Sequence, residues 1–164
     1  MIIPLQLKAA RNVLNLGVRD IAKVLKVSKA TINKAELGNT RDFFHKYGAA
    51  LTNFFSLNNI IFPNTFSITY YNSKREIGNS KLNNSITRFQ FKAARHILSL
   101  TQQDLAAIIK VNRSIISKAE QVANTEYIKL YDQKIVDHIK EYYCNQNIEF
   151  PNQMSIFFKK IVDN

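Results

Sequence analysis

Two stretches of the chain decide its fold, because one is a copy of the other. Residues 5–36 read LQLKAARNVLNLGVRDIAKVLKVSKATINKAE, and residues 89–120 read FQFKAARHILSLTQQDLAAIIKVNRSIISKAE. Aligned at an offset of 84, they are identical at 15 of 32 positions. The likeness returns in the Phe-Pro-Asn sequences at 62–64 and 150–152, at an offset of 88. Two copies are too few for a solenoid, so the repeat predicts a tandem of two small modules.

Each copy shows three short helical patterns and then a longer one, followed by two short apolar runs split by Pro-Asn. The predicted helices cover residues 5–16, 20–25, 28–36 and 43–57 in the first copy, and 89–100, 104–109, 112–120 and 126–145 in the second. Ser28, Thr101 and Asn112 stand where N-caps are expected. The apolar runs predict a strand, a turn and a strand. The predicted fold class is therefore mainly α, with four or five helices and a short β-hairpin in each module.

The segment between the copies is polar and rich in Asn and Ser, which is typical of a linker. The sequence thus predicts a first module at residues 1–71, a linker at 72–87 and a second module at 88–164. About 15 flexible residues have a root-mean-square span of ~20 Å and an extended reach of ~50 Å.

The charge points to a class of partner. Lys and Arg number 23 against 12 Asp and Glu, which gives a net charge of +11. Such an excess favours a polyanion, either nucleic acid or an anionic membrane surface. No apolar run approaches the roughly 20 residues that span a bilayer, and the first residues do not resemble a secretory signal. We therefore expect a cytoplasmic protein with no membrane partner.

The residues that carry catalysis or bind metals are sparse. The three histidines, at 45, 96 and 138, have no metal-ligand spacing. Cys144 is the single cysteine, and its position on an aromatic-rich helix predicts a buried side chain. Paired carboxylates and a phosphate-binding loop are not evident. We expect no enzymatic activity, no metal and no cofactor.

In each copy the second and third predicted helices are short and a tight turn joins them. The third helix is polar, as in a helix-turn-helix. Residues 98–120, LSLTQQDLAAIIKVNRSIISKAE, resemble the Cro-type, lambda-repressor-like (XRE) family. The likeness lies in the Thr-Gln that opens the second helix, the Leu-Ala within it, the Val at the turn, and the Ser-containing helix that ends in Glu. The resemblance implies two tandem lambda-repressor-like modules in a bacterial DNA-binding regulator.

The resemblance also implies which residues contact DNA. In the second copy Gln102 would contact a phosphate, and the third helix would present Asn112, Arg113, Ser114, Ser117 and Lys118. In the first copy the matching helix would present Ser28, Lys29, Ala30, Asn33 and Lys34. Val18 is the first-copy equivalent of Gln102 and cannot make the amide's hydrogen bond, so Arg19 would contact the phosphate instead. For these Lys and Arg side chains, solvated surface charge is the alternative interpretation.

Two structural features follow from the same resemblance. Arg11 and Glu36 are 25 residues apart, as are Arg95 and Glu120, and the family implies semi-buried ion pairs that tie the first helix to the third. Lys26 and Lys110 stand at the turn where the family often has Gly. A left-handed backbone there would cost roughly 1 kcal/mol at each lysine.

The sequence therefore predicts a sequence-specific double-stranded DNA-binding transcriptional regulator, by default a repressor that blocks polymerase and lies on the nucleoid when bound. The third helices, SKATINK at 28–34 and NRSIISK at 112–118, differ, so two unlike half-sites are expected. The alternative is an antitoxin-like or adaptor protein in which one module binds DNA and the other binds a protein or mediates dimerisation. The missing Thr-Gln in the first copy motivates it. A homodimer of whole chains also stays open.

Overall fold

The computed structural model describes residues 2–40, 42–71 and 85–159. Within them the chain forms eight helices and a small antiparallel sheet. The first half contains α1 (Pro4–Val13), α2 (Val18–Leu25), α3 (Lys29–Glu36), α4 (Phe43–Leu57), β1 (Ile60–Ile61) and β2 (Ser67–Tyr70). The second half contains α5 (Arg88–Ile97), α6 (Gln102–Ile108), α7 (Arg113–Ala119), α8 (Gln133–Asn145), β3 (Ile148–Asn152) and β4 (Ser155–Phe158). Most of the predicted linker, residues 72–84, lies outside the described residues.

Local sequence determines where the short helices begin and how they are joined. Ser28 caps α3, Thr101 caps α6 and Asn112 caps α7, each by accepting a hydrogen bond from a backbone amide of the first turn. These bonds satisfy amides that have no partner within the helix. Lys26 and Lys110 occupy the two inter-helix turns with φ of 53° and 57°, in the left-handed region. The predicted caps are confirmed. The left-handed backbone at Lys26 and Lys110 is the conformation whose cost to a non-glycine residue was given above.

The two hairpins form one four-stranded antiparallel sheet in the order β1-β2-β4-β3. Its central pair, β2 with β4, joins the two halves of the chain. Ile68 lies opposite Ile156, and Ser67 lies opposite Phe157. At the repeat offset of 88, Ile68 and Ile156 are equivalent positions, so the register is symmetric about them. Both are fully buried. The halves are therefore related by an approximate two-fold axis at this pair.

Helices α1 and α5 pack against each other and form the rest of the junction. The Nζ of Lys8 donates to the Oγ of Ser99 at 2.9 Å, and the Nζ of Lys92 donates to the Oδ1 of Asn15 at 2.5 Å. Lys8 and Lys92 are equivalent at the offset of 84, and so are Asn15 and Ser99. The same contact is thus made in both directions, which requires the two helices to run antiparallel across the two-fold axis.

Helix α8 begins seven residues later than the sequence pattern predicts. The preceding segment is extended: the amide of Ile128 donates to the carbonyl of Ile86 at 3.0 Å, beside a β-bridge between Thr87 and Tyr127. Ile86 and Ile128 are both buried, and the side chain of Asp132 caps the late start of α8. The predicted helical start was wrong because these residues pair with residues 86–87, which the sequence assigned to the linker.

Cys144 is exposed on α8, so the expectation that it is buried was wrong. The buried side of α8 carries Val136, Ile139 and Tyr143, which recur at helical spacing. Residue 144 follows Tyr143 by one position, a rotation of about 100° around the helix axis. That rotation turns the thiol away from the core.

Candidate nucleic-acid interface

The candidate interface is built on the helix pairs α2–α3 and α6–α7. Ile32 and Ala35 are the buried residues of α3, and Ile116 and Ala119 are the buried residues of α7. Each pair is separated by three positions and forms one narrow apolar stripe against the core. A short helix held by one stripe presents the rest of its circumference to solvent.

The predicted contact residues lie on that outward surface. In the first half the exposed set is Ser28, Lys29, Ala30, Asn33 and Lys34, with Arg19 exposed on α2. In the second half Asn112, Arg113, Ser114 and Lys118 are exposed, and Ser117 is partly exposed. Apart from Arg19 on α2 and Gln102 on α6, the structure thus brings each predicted set together on the outward surface of α3 or α7 and its N-cap.

Carboxylates do not neutralise the cations on these faces. Among the described residues the ion pairs are Arg11–Glu36, Arg95–Glu120 and Lys159–Glu149, and none involves α3 or α7 cations. Glu36 and Glu120, the acids nearest in sequence, are taken up by Arg11 and Arg95. On the preceding helices, Asp20 and Asp104 turn back to accept hydrogen bonds at the starts of their own helices. For Asp104, hydrogen bonds from Thr101 lower the carboxyl pKa. Both faces therefore keep their positive charge.

A buried ion pair supports each face from behind. Arg11 Nε lies 2.6 Å from Glu36 Oε1, and Arg95 Nε lies 2.6 Å from Glu120 Oε1. In both pairs the Nη2 donates to the second carboxylate oxygen, so the contact is bidentate. Each arginine also donates to the carbonyl five residues later in the chain, at 2.7 Å. One guanidinium thus fixes the first helix, the end of the third helix and the loop between the first and second helices.

The two candidate phosphate contacts differ in their surroundings. Gln102 is partly buried, and its Nε2 donates to Glu120 Oε2 at 3.0 Å. This bond holds the start of α6 against the Arg95–Glu120 pair. In the first half, Val18 packs against the core in the matching position and Arg19 extends into solvent. Contact of either Gln102 or Arg19 with a phosphate stays a prediction.

Sequence reasoning missed Arg88, which is only 4% exposed. Its guanidinium donates to the Val13 carbonyl at 2.8 Å and to Asn15 Oδ1 at 3.1 Å, both in the other half of the chain. It also donates to the Glu120 carbonyl at 3.0 Å. The equivalent residue in the first copy is Pro4, so comparison of the two copies carries no signal for this role. Arg88 links the support of α7 directly to the end of α1.

Lys8 and Lys92, which from sequence suit either phosphate contact or simple solvation, make contacts between the halves instead. Lys92 is buried, and burial is the main cause that lowers its pKa to about 8, with Arg88 the next contributor. Lys8 remains partly exposed. The equivalent lysines therefore have unequal access to solvent.

Within the described ranges no three His, Cys, Asp or Glu side chains are grouped so that they could hold a metal ion. In that part of the chain, no helix has the length and apolar character needed to cross a membrane. No protein-family model, curated protein or solved structure matches the chain.

Proposed function

We propose that the chain is a sequence-specific DNA-binding protein whose two lambda-repressor-like helix-turn-helix modules bind one duplex. The observation that carries this proposal is the pair of exposed polar faces on α3 and α7, each on the second helix of a short helix pair. The major groove of B-DNA admits one α-helix. In a helix-turn-helix, the second helix lies in that groove with its N-terminal residues against the base edges.

The residue types on the two faces suit this role. Arg113 opens α7, and a guanidinium can donate two hydrogen bonds to the O6 and N7 of guanine. Asn33 on α3 can pair in the same bidentate way with the N6 and N7 of adenine. Lys29, Lys34 and Lys118 supply uncompensated charge for phosphates, which is the sequence-independent part of DNA affinity. The two faces therefore differ in the bases that they select and agree in their charge.

The approximate two-fold axis supports a specific arrangement of the DNA site. Operators mirror the symmetry of the proteins that bind them. Two halves related by a two-fold axis would contact half-sites that run in opposite directions along the duplex. Because α3 and α7 differ in sequence, these inverted half-sites would differ in their bases. One chain would thus occupy a two-part operator, and such occupancy would repress transcription by excluding polymerase.

Selection of duplex DNA from a random library by the full-length chain tests the proposal. The expected result is a two-part motif with inverted, unlike halves at a fixed spacing. Arg113→Ala should relax selectivity in one half, and Asn33→Ala in the other, each by about 1–3 kcal/mol or roughly 5- to 150-fold. Lys134→Ala, at an exposed lysine on α8, is the matched control and should leave the motif unchanged.

Two results would contradict this reading. Binding that depends on salt but not on base sequence would reduce the protein to a generic cationic binder. A single short motif that is lost in Arg113→Ala and unaffected by Asn33→Ala would assign the first module to another task. The first-copy departure at Val18 would then favour the adaptor alternative, in which that module binds a protein.

A further inference from the structure

A cavity of about 630 Å³ lies at the junction of the two halves, between α1, α5 and the start of α6. Its lining includes Arg11 with Arg95 and Asn12 with His96, which are equivalent positions at the repeat offset of 84. The cavity therefore spans the approximate two-fold axis. Its volume falls within the range of ligand-binding clefts, ~300–1,000 Å³.

The charged groups around the cavity are cationic. The Lys and Arg side chains that line it are Lys8, Arg11, Arg95 and Arg113, and among the described residues no Asp or Glu joins them. Arg11 and Arg95 are neutralised from behind by their glutamates. Lys8 bonds to a neutral hydroxyl, and Arg113 is exposed and forms no ion pair with a described carboxylate. A net positive charge thus faces the cavity.

His96 adds a neutral ring to the cavity lining. Its Nε2 lies 3.1 Å from Arg95 Nη2. Because a guanidinium can only donate, Nε2 must accept and the ring proton resides on Nδ1. Burial lowers the His96 pKa to about 3, helped in decreasing order by the charges of Arg95, Lys92, Arg11 and Lys8. At neutral pH the ring is uncharged, and the surrounding positive charges favour binding of an anion.

The lining of the cavity is not symmetric. Lys8 lines it, whereas the equivalent Lys92 is buried against Asn15, whose Oδ1 also accepts from Arg88. Gln102 and Arg113, at the starts of α6 and α7, also line it. The cavity therefore adjoins the proposed DNA-binding face of the second half through Arg113.

We propose that this cavity binds a phosphate group, and that the group belongs to the DNA backbone between the two half-sites. The inference rests on the proposed function, since a duplex lying on α7 would pass Arg113, which also lines the cavity. The Lys8 ammonium donates to the phosphate oxygens, and Arg113, whose donors face the guanine, contributes only its nearby positive charge. Free nucleotides offer the same chemistry, and the experiment separates the two sources.

The test compares Lys8→Met with Lys134→Met in the full-length chain. Lys8→Met removes the ammonium and keeps most of the aliphatic stem, and Lys134 is an exposed lysine that does not line the cavity. Affinity for the selected duplex is measured by fluorescence anisotropy from 50 to 200 mM salt. One phosphate contact contributes about 0.9 to the slope of log affinity against log salt. Between 50 and 200 mM salt, the fold-decrease in the affinity of Lys8→Met should therefore be smaller than that of wild type by a factor of ~3.5. Lys134→Met should keep the wild-type slope.

The outcomes separate the two proposals. A wild-type chain that selects a duplex, with an unchanged slope in Lys8→Met, overturns the cavity proposal and leaves the proposed function intact. A wild-type chain that binds no duplex overturns both. In a second arm, ADP is titrated into the DNA-free chain while the His96 ring is followed by NMR. ADP binding that is lost in Lys8→Met, together with an unchanged salt slope, would assign the cavity to a free phosphate compound.

Discussion

Glu120 is the residue whose removal should most directly test the architecture behind α7. Its carboxylate accepts hydrogen bonds from Arg95 Nε at 2.6 Å, Arg95 Nη2 at 2.9 Å and Gln102 Nε2 at 3.0 Å. The side chains of Arg95 and Glu120 are 5% and 6% exposed. Glu120→Ala leaves a buried guanidinium without its counter-ion, and removing one partner of a buried pair costs about 3–5 kcal/mol. For a domain of this size, the thermal midpoint should fall by ~6–20 °C.

Urea unfolding followed by circular dichroism measures this loss, provided that the slope m stays constant between variants. Glu149→Ala is the matched control, because Glu149 pairs with Lys159 at 3.3 Å and both side chains are more than half exposed. An exposed pair of this kind contributes at most about 1 kcal/mol. If Glu120→Ala and Glu149→Ala shifted the urea midpoint equally, the reasoning from buried charge would be refuted.

Three further changes test other parts of the fold by the same urea assay. Lys110→Gly relieves a side chain at φ 57° and should raise the free energy of unfolding by about 0.5–1 kcal/mol; a decrease contradicts the strain. Thr101→Ala removes the cap of α6 and should lower the free energy of unfolding by ~1 kcal/mol, whereas Thr101→Ser should keep the cap and the stability. Equal losses of stability in both variants would exclude capping as the cause. His96→Asn tests pH dependence, because the unfolded chain binds a proton near pH 6.5 and the folded chain only near pH 3. Wild-type stability should therefore fall as pH drops below 6.5, by roughly 2 kcal/mol at pH 5 from this group. The stability of His96→Asn should lack this decrease between pH 6.5 and 5. An identical pH dependence of stability in both proteins would contradict the assignment to His96.

Features that depend on neighbouring residues could be predicted from the sequence. Ser28, Thr101 and Asn112 cap helices because a short polar side chain at that position satisfies an amide three or fewer residues away. The exposed faces of α3 and α7 follow from the spacing of the buried residues, among them Ile32 and Ile116. The Arg–Glu pairs, implied by the family resemblance, form at the same spacing in both copies.

Features that depend on contacts between the two halves could not be predicted from the sequence. The short apolar runs around β2 and β4 indicate extended backbone, but they do not indicate which strand each one pairs with. Arg88 is buried because the Val13 carbonyl and the Asn15 side chain reach it from the other half, and no pattern near Arg88 encodes those partners. Ile128 is extended because Ile86 pairs with it across more than forty residues. The cavity likewise exists only where α1 meets α5.

Joining the symmetric halves in one chain has a consequence for what each side can become. In an assembly of two identical chains, every substitution is present on both sides of the axis. Here each side has its own residues, as the equivalent positions Arg88 and Pro4 show. The two ends of the molecule are therefore distinguishable. In the proposed DNA complex, an operator with unlike halves would bind the chain in one orientation only, so the same half of the chain would always face upstream.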